Sequence, residues 1–348
     1  MEIPSTMRAS VLRGVRNLSL EEREVPVPGP GEVLIRIAAA AVSGADVQLY
    51  STGRLRGQPM RGPLVLGRTA AGHIVGVGEG VPAERIGELV SLEPLRICRE
   101  CAQCRQGRYN LCDTATFLGT PGCDGVFAEY VVHPSDFSHT VPSQVPIPSA
   151  VLAEPTAIAL AALNKADIKA GSKVLVAGAG PIGLITVAVA KELGADEIAI
   201  SDLSGERLAR AQDIGATDTF NMARAGIAIP TAHYDAFVEC SGSAAAIRRG
   251  FPAVRPAGHV VLVGRGADEV ALPITLMQNR ELTVHGSFRY ANTFPMGIAL
   301  IAAGWLPTER LIGDRYTLDQ LDFALDPTRA TTGLKAYLQV ADEGATAG

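Results

Sequence analysis

The stretch "VLVAGAGPIGL", Val174–Leu184, is an apolar run that closes on three spaced glycines. Val174, Leu175 and Val176 read as a buried strand. Gly178, Gly180 and Gly183 then keep the spacing G-x-G-x-x-G, and "PIGLITVAVAKELGA" reads as a helix ending on Gly194. Gly178 permits a tight turn, Gly180 lets a ligand approach the backbone, and Gly183 lets strand and helix pack closely. A pyrophosphate placed there would meet a helix N-terminus, where unpaired N–H groups and the helix dipole favour anions. Pro181 and Ile182 belong to the same turn.

Working outward, the same alternation continues. "EIAISDL", "YDAFVECSG", "GHVVLVGRG" and "ELTVHGSF" read as strands, with "ERLARAQDIGA" and "SAAAIRRGFPAV" as helices between some of them. Such alternation predicts a parallel sheet with right-handed crossovers. Asp202 ends the second of these strands, 19 residues after Gly183. It is placed to accept hydrogen bonds from the adenosine ribose hydroxyls, and its charge repels a 2′-phosphate, which favours NAD over NADP. Arg207 lies close enough in sequence to reach such a phosphate. From about residue 290 the tail is read as carrying one helix, "FPMGIALIAAGWL".

The first third reads differently. "EVLIRI" alternates as a half-buried strand, and "GHIVGVG" and "GELVSLEP" are short strands between glycines. Short strands punctuated by Gly and Pro suggest a small barrel. The full length of 348 residues favours two domains over one. A net charge of −5 gives no electrostatic reason to expect nucleic acid or an anionic membrane as partner. The richest apolar stretch, "AVLAEPTAIALAAL", carries Glu154 and Pro155, so no membrane span is expected, and "MEIPSTMRAS" lacks an apolar signal core. A cytoplasmic protein acting on a small molecule is expected.

Four of the six cysteines crowd into "CRECAQCRQGRYNLC". Cys98, Cys101, Cys104 and Cys112 have the spacing C-x2-C-x2-C-x7-C. Four thiolates in one loop can close a tetrahedron around zinc and leave no position for substrate, so the ion would be structural. An iron–sulfur site or unmetallated thiols are the alternatives. Cys123 and Cys240 lie outside the cluster and read as packing residues.

Together these features resemble the medium-chain dehydrogenase/reductase superfamily over nearly the whole chain. Within it the chain resembles the sorbitol and xylitol (polyol) dehydrogenase branch, on "GRYNLC", "TPGCDGVFAEYVVHP", "EPTAIALAAL", "SDLSGERL" and "GSFRYANTFP". The resemblance implies an α/β chain with a GroES-like β-barrel catalytic domain (residues 1–154 and 290–348). A Rossmann doubly wound parallel-sheet domain (155–289) would lie between. It implies that Val263, Gly264, Ser287, Phe288 and Arg289 line the cofactor or substrate cleft, and that the protein is a homodimer or homotetramer.

The resemblance breaks at one place. In zinc-dependent members the catalytic metal is held by Cys of a "CGSD" motif and by His and Glu of a "GHE" motif. Here these are "SGAD", Ser43–Asp46, and "GRT", Gly67–Thr69. A His that often follows the first motif is Gln48. Ser43 and Thr69 are poor zinc ligands, and Arg68 is a fixed cation. One structural zinc and no catalytic zinc are therefore expected, with NAD as cofactor. Arg68 either polarises a substrate oxygen or fills the vacated space by pairing with Asp46 or Glu154. In the first case Glu154 or Asp46 would move the proton, with Ser43, Thr69 and Tyr290 as hydrogen-bonding partners. His73, nearest in sequence, reads as a strand residue. The expected reaction interconverts a secondary alcohol of a sugar, cyclitol or polyol-like substrate and its ketone. Reduction of an activated C=C or iminium bond, and a non-catalytic NAD-binding sensor or scaffold, are the alternatives.

Overall fold

The computed structural model describes residues 3–55, 57–266, 268–327 and 334–341. Its six-stranded sheet is parallel throughout. The strand Lys173–Ala177 lies inside it, with Glu197–Asp202 and then Asp218–Asn221 on one side. On the other side follow Tyr234–Glu239, Val254–Leu262 and Thr283–Gly286. The order of strands therefore reverses at Lys173–Ala177, and ligands of such sheets bind beyond the carboxyl ends of the strands at that reversal. Val174, Leu175 and Val176 are fully buried, as a parallel strand covered on both faces requires.

The helix Pro181–Glu192 leaves the first strand at Gly180. Its residues Gly183 to Ala190 are all buried, because the helix is covered by the sheet on one side and the helix Ala153–Lys165 on the other. Burying each Val, Leu or Ile of that face contributes about 1.5–3 kcal/mol. The helix Ala153–Lys165 also packs on Phe294–Ala302. The segment Ile147–Lys165 is long and apolar enough to cross a bilayer by length and composition alone. However, 78% of its most apolar window is buried inside the protein, so it is a core helix.

The N-terminal third forms a curved antiparallel sheet centred on Glu32–Ala41, which is broken by irregularities at Leu34/Ile35 and Ile37/Ala39. One edge of that strand pairs with Thr69–Val77, followed by Leu89–Leu92 and Ser138–Thr140. The other edge pairs first with Tyr130–Pro134 and then with Lys335–Gln339. A hairpin, Thr6–Gly14 with Asn17–Glu24, lies alongside.

The C-terminal tail is richer than the one helix expected. Besides Phe294–Ala302 it holds short helices at Thr308–Leu311 and Leu321–Leu325. It also holds strands at Ile312–Thr317 and Lys335–Gln339, paired in parallel. These strands are short, and the second gains its pairing from residues some three hundred positions away, which local periodicity cannot register.

Candidate active site

Register assembles the altered motifs. Ala41 pairs with Thr69 and Tyr337 pairs with Ala41. The chain leaving Ala41 reaches Ser43, the residue before Thr69 is Arg68, and the strand carrying Tyr337 begins at Lys335. One end of the sheet therefore collects Ser43, Asp46, Arg68, Thr69 and Lys335. Gly67, just before Arg68, has φ 94° and lies under the ring of Phe127, where a Cβ would come within 2.5 Å of it. That left-handed turn, open to glycine at low cost, sends Arg68 back toward Asp46.

Asp46 is fully buried in the first turn of the helix Gly44–Thr52. Its Oδ2 accepts the Ser43 backbone N–H at 2.8 Å and the Ser43 hydroxyl at 2.5 Å. Its Oδ1 accepts the Gly67 N–H at 3.1 Å and Arg68 Nη2 at 3.2 Å. Arg68 Nη2 also donates to the Gly119 carbonyl at 3.0 Å. The guanidinium carbon lies 5.5 Å from the centroid of the Phe117 ring. Arg68 Nε is buried without a hydrogen-bond partner, and such an orphan in a native site calls for a ligand or a water.

Glu154 is buried at the start of Ala153–Lys165, and Thr69 Oγ1 donates to its Oε2 at 3.2 Å. Burial pushes its carboxyl above the usual carboxylate range, against the pull of Lys335, Arg68 and the Thr69 hydroxyl. Lys335, which sequence reasoning passed over, is buried and faces Glu154 and Asp46. Burial lowers its ammonium from the ordinary lysine range, and the two carboxylates oppose that. The signal in sequence was faint: a lysine in step with Tyr337 on the inward face of a strand. Tyr290 is buried too, with its hydroxyl unpartnered. Burial, and then the charge of Glu154, push its pKa well above the usual phenol range, so it stays a donor. Gln48 is exposed on the helix Gly44–Thr52, and His73 sits half-buried on its strand opposite Arg36. Neither joins this cluster.

The nucleotide-binding turn has the shape its glycines predict. A Cβ on Gly183 would lie 1.8 Å from the Gly178 carbonyl oxygen, whereas one on Gly180 would meet nothing within 4 Å. The first is contact between strand and helix; the second is open space over a helix N-terminus without a side-chain cap. Asp202 accepts Ala179 N–H at 2.7 Å and Ser204 N–H at 2.8 Å, one on each oxygen. Each oxygen keeps a lone pair for a ribose hydroxyl. The backbone N–H of Arg207 is held by Ser204 Oγ at 3.3 Å in the next helix. Val263 and Gly264 both donate to the Glu239 carbonyl at 2.8 Å. Lys165 Nζ reaches Ser287 Oγ at 3.4 Å. Val263, Gly264, Ser287, Phe288 and Arg289 thus follow the carboxyl ends of two strands, on the side of the sheet where the glycine turn lies. These surroundings fit a dinucleotide.

The four thiol sulfurs of Cys98, Cys101, Cys104 and Cys112 lie within 4.8 Å of one another. Cys98 is 3.6 Å from Cys112 and 4.0 Å from Cys104, against about 3.8 Å for two sulfurs on a tetrahedral zinc with bonds of about 2.3 Å. Backbone N–H groups of Cys101 and Glu100 pull the Cys98 thiol down to about 6, toward the thiolate a metal needs. The donor set fits a closed tetrahedral site. Among the described residues it is the one group of His, Cys, Asp and Glu side chains gathered closely enough for a metal. Cys240 is a packing residue beside Thr186, its thiol pushed up to about 12 by burial. Cys123 is half-buried, with burial raising its thiol as well.

Comparison with known proteins agrees with this arrangement. Residues 29–143 match the alcohol dehydrogenase GroES-like domain, and residues 181–303 match the zinc-binding dehydrogenase domain. Sorbitol dehydrogenase of Bacillus subtilis (strain 168) is 34% identical over 331 residues, covering 93% of this chain and 94% of the relative. The chain belongs to the medium-chain dehydrogenase/reductase superfamily. This dehydrogenase superimposes on an alcohol dehydrogenase from Escherichia coli CFT073 complexed with NADH. The TM-score is 0.89 at 28% identity, covering 97% of this chain and 100% of the other. L-idonate 5-dehydrogenase from Escherichia coli K-12 gives a TM-score of 0.89 at 25% identity, covering 96% and 98%. The protein is therefore an oxidoreductase of the NAD(P)-dependent polyol and alcohol dehydrogenase family, acting on small molecules.

Proposed function

We propose that this dehydrogenase interconverts a secondary alcohol of a polyol-like substrate and its ketone with NAD(H), without a catalytic zinc. One observation supports the reading: Arg68, which stands in the sequence where the family carries a zinc ligand, is tied to Asp46, and the groups acting on Glu154 are the Thr69 hydroxyl and the cations Lys335 and Arg68. Such a set repels a divalent cation instead of holding one. Zinc at the four cysteines would be structural. Residues 1–154 with 290–348 and residues 155–289 would form the two domains. The subunits would assemble as a homodimer or homotetramer through sheet edges such as Thr283–Gly286.

NAD, when bound over Gly180 and beside Asp202, supplies the hydride acceptor or donor. The chain's own residues must then bind the substrate and manage charge and proton. A zinc ion can lower the pKa of a bound water from about 15.7 to about 7. A positioned donor is worth about 10²–10³ in rate, and a general acid or base about 10²–10⁴. Arg68, held by Asp46 and Gly119, directs its unpartnered Nε at the substrate oxygen. Glu154, with a carboxyl shifted toward neutrality and a hydroxyl partner in Thr69, takes or returns the proton. Tyr290 offers a second donor. Asp202 favours NAD over NADP.

Arg68→Met is the test, together with metal content per chain. The reading expects one zinc per chain and a loss of about 10²-fold or more in kcat with the fold retained. Unchanged turnover in a folded variant, or a second zinc near Ser43 and Glu154, overturns it.

A further inference from the structure

Glu239 ends the strand Tyr234–Glu239 right beside the nucleotide turn. It pairs in register with Ala177, the residue before Gly178, on one side and with Leu262 on the other. Its side chain is fully buried. A buried carboxylate is unfavourable unless donors surround it, and here they come from the two residues after Cys240. Oε1 accepts the Ser241 N–H at 2.8 Å, the Ser241 hydroxyl, and the Gly242 N–H at 2.9 Å; Oε2 lies 3.0 Å from the same Gly242 nitrogen. The main-chain carbonyl of Glu239 accepts Val263 and Gly264. One residue therefore fixes two neighbouring loops, the first through its side chain and the second through its backbone.

These loops meet the glycine turn without spare room. Gly242 has φ 72°, and a Cβ there would come 2.1 Å from the Arg265 carbonyl oxygen. A Cβ on Gly264 would lie 2.2 Å from the Gly242 nitrogen and 2.7 Å from Glu239 Oε2. One on Gly178 would come 2.8 Å from the Ser241 Cβ. Three backbone segments thus close around one carboxylate, and Ser241 walls the turn whose glycines suit a pyrophosphate. Asp202 lies on the opposite side of that turn, at the end of Glu197–Asp202. With the adenosine ribose at Asp202, the second half of a dinucleotide crosses the reversal of strand order onto the ends of Tyr234–Glu239 and Val254–Leu262.

We propose that Glu239 is a positioning residue for the nicotinamide half of the cofactor: its carboxylate, acting through Ser241 and Gly242, holds the wall that this half lies against. The proposal deepens the NAD(H) reading above and rests on it. A carboxylate suits the task because it only accepts, and its charge-assisted bonds are about twice as strong as neutral ones. Glutamine of the same shape would turn an NH₂ group toward one of the donors.

The test measures Kd, not turnover, for two probes: NADH by fluorescence and 5′-AMP by calorimetry. AMP fills only the adenosine half at Asp202. Glu239→Gln raises the NADH Kd about tenfold and leaves the AMP Kd within about twofold, because misplacement is confined to one half of the site. Ser241→Ala, which removes one donor outside the strand, gives the same pattern at about threefold, and it decides the question where Glu239→Gln does not fold. Equal weakening of both probes, as a merely structural carboxylate requires, or an unchanged NADH Kd, overturns the proposal and leaves the cofactor reading intact. Wild-type protein that binds neither probe overturns both.

Discussion

Asn110 donates its side-chain amide to the carbonyl of Phe288 at 2.8 Å, across 178 residues of chain. Two further bonds tighten this grip: Asn292 N–H donates to Tyr109 Oη, and Asn292 Nδ2 to the Gly107 carbonyl, each at 2.8 Å. The cysteine loop therefore holds the segment that carries Arg289 and Tyr290. Asn110→Ala should cost only about 1 kcal/mol of stability, because one hydrogen bond is lost. It should lower kcat/KM about tenfold, since small misplacements of positioning groups are costly. Steady-state kinetics beside a zinc assay checks this; metal content should stay at the wild-type level.

Removing the zinc proposed for this loop should act through the same contacts. Stripping zinc with a chelator should lower Tm by several degrees and abolish turnover, because four thiols released from a metal no longer define the loop. NADH affinity should fall far less than turnover, since the glycine turn and Asp202 belong to the parallel sheet and the loop holds only the Phe288–Asn292 side of the cleft. Fluorescence titration of NADH against the stripped protein distinguishes this from general unfolding.

The two glycines Gly180 and Gly183 should respond oppositely to alanine. Gly183→Ala forces a Cβ to 1.8 Å from a backbone oxygen, so it should destabilise the fold by about 1–3 kcal/mol, as overpacking does. Gly180→Ala meets nothing within 4 Å in the protein, so Tm should hold while NAD Kd rises about tenfold or more. Thermal melts with and without NADH read both effects.

His133 sets a pH limit on stability. It is fully buried, its Nε2 lies 2.8 Å from the Glu93 carbonyl oxygen, and its Nδ1 has no partner. Burial pushes its imidazole down to about 3 from an ordinary value of 6.5. A depressed folded pKa means that the unfolded chain takes up the proton first as pH falls. The stability is therefore present above pH 6.5 and is lost progressively toward pH 3. Between pH 7 and pH 4.5 the loss from this group should be about 2–3 kcal/mol. Urea unfolding of wild type and His133→Gln at both pH values measures it, and the variant should lose less.

Lys335→Met tests whether this lysine keeps Glu154 ionisable. Lys335 opposes the upward shift of the Glu154 carboxyl, so without it the carboxyl should rise further. The acid limb of the kcat/KM profile should move to higher pH, while the fold tolerates an apolar side chain of similar length. A limb that stays in place would show that Glu154 is not the titrating group.

Much of the architecture was legible locally. The strand at Val174, the glycine turn and the helix after it are fixed by periodicity and by backbone demands that only glycine meets. The spacing of the four cysteines pointed to one metal-binding loop, because a short loop limits where its ligands can go. The C-terminal strands were not legible, nor was the burial of Lys335 within reach of the charges of Glu154 and Asp46. Their partners lie far away in sequence, and a short strand takes its identity from the sheet it joins.

The altered motifs show the division most clearly. The amino-acid sequence by itself determined that Ser43, Arg68 and Thr69 stand where zinc-dependent members carry Cys, His and Glu, since donor chemistry belongs to the side chain. Whether Arg68 would lie against Asp46, which face of it would stay unpartnered, and which cations would gather at Phe117 were decided only in the folded chain. Hydrogen-bond geometry and desolvation depend on what surrounds a charge, and those surroundings come from strands joined by register across the whole length of the protein.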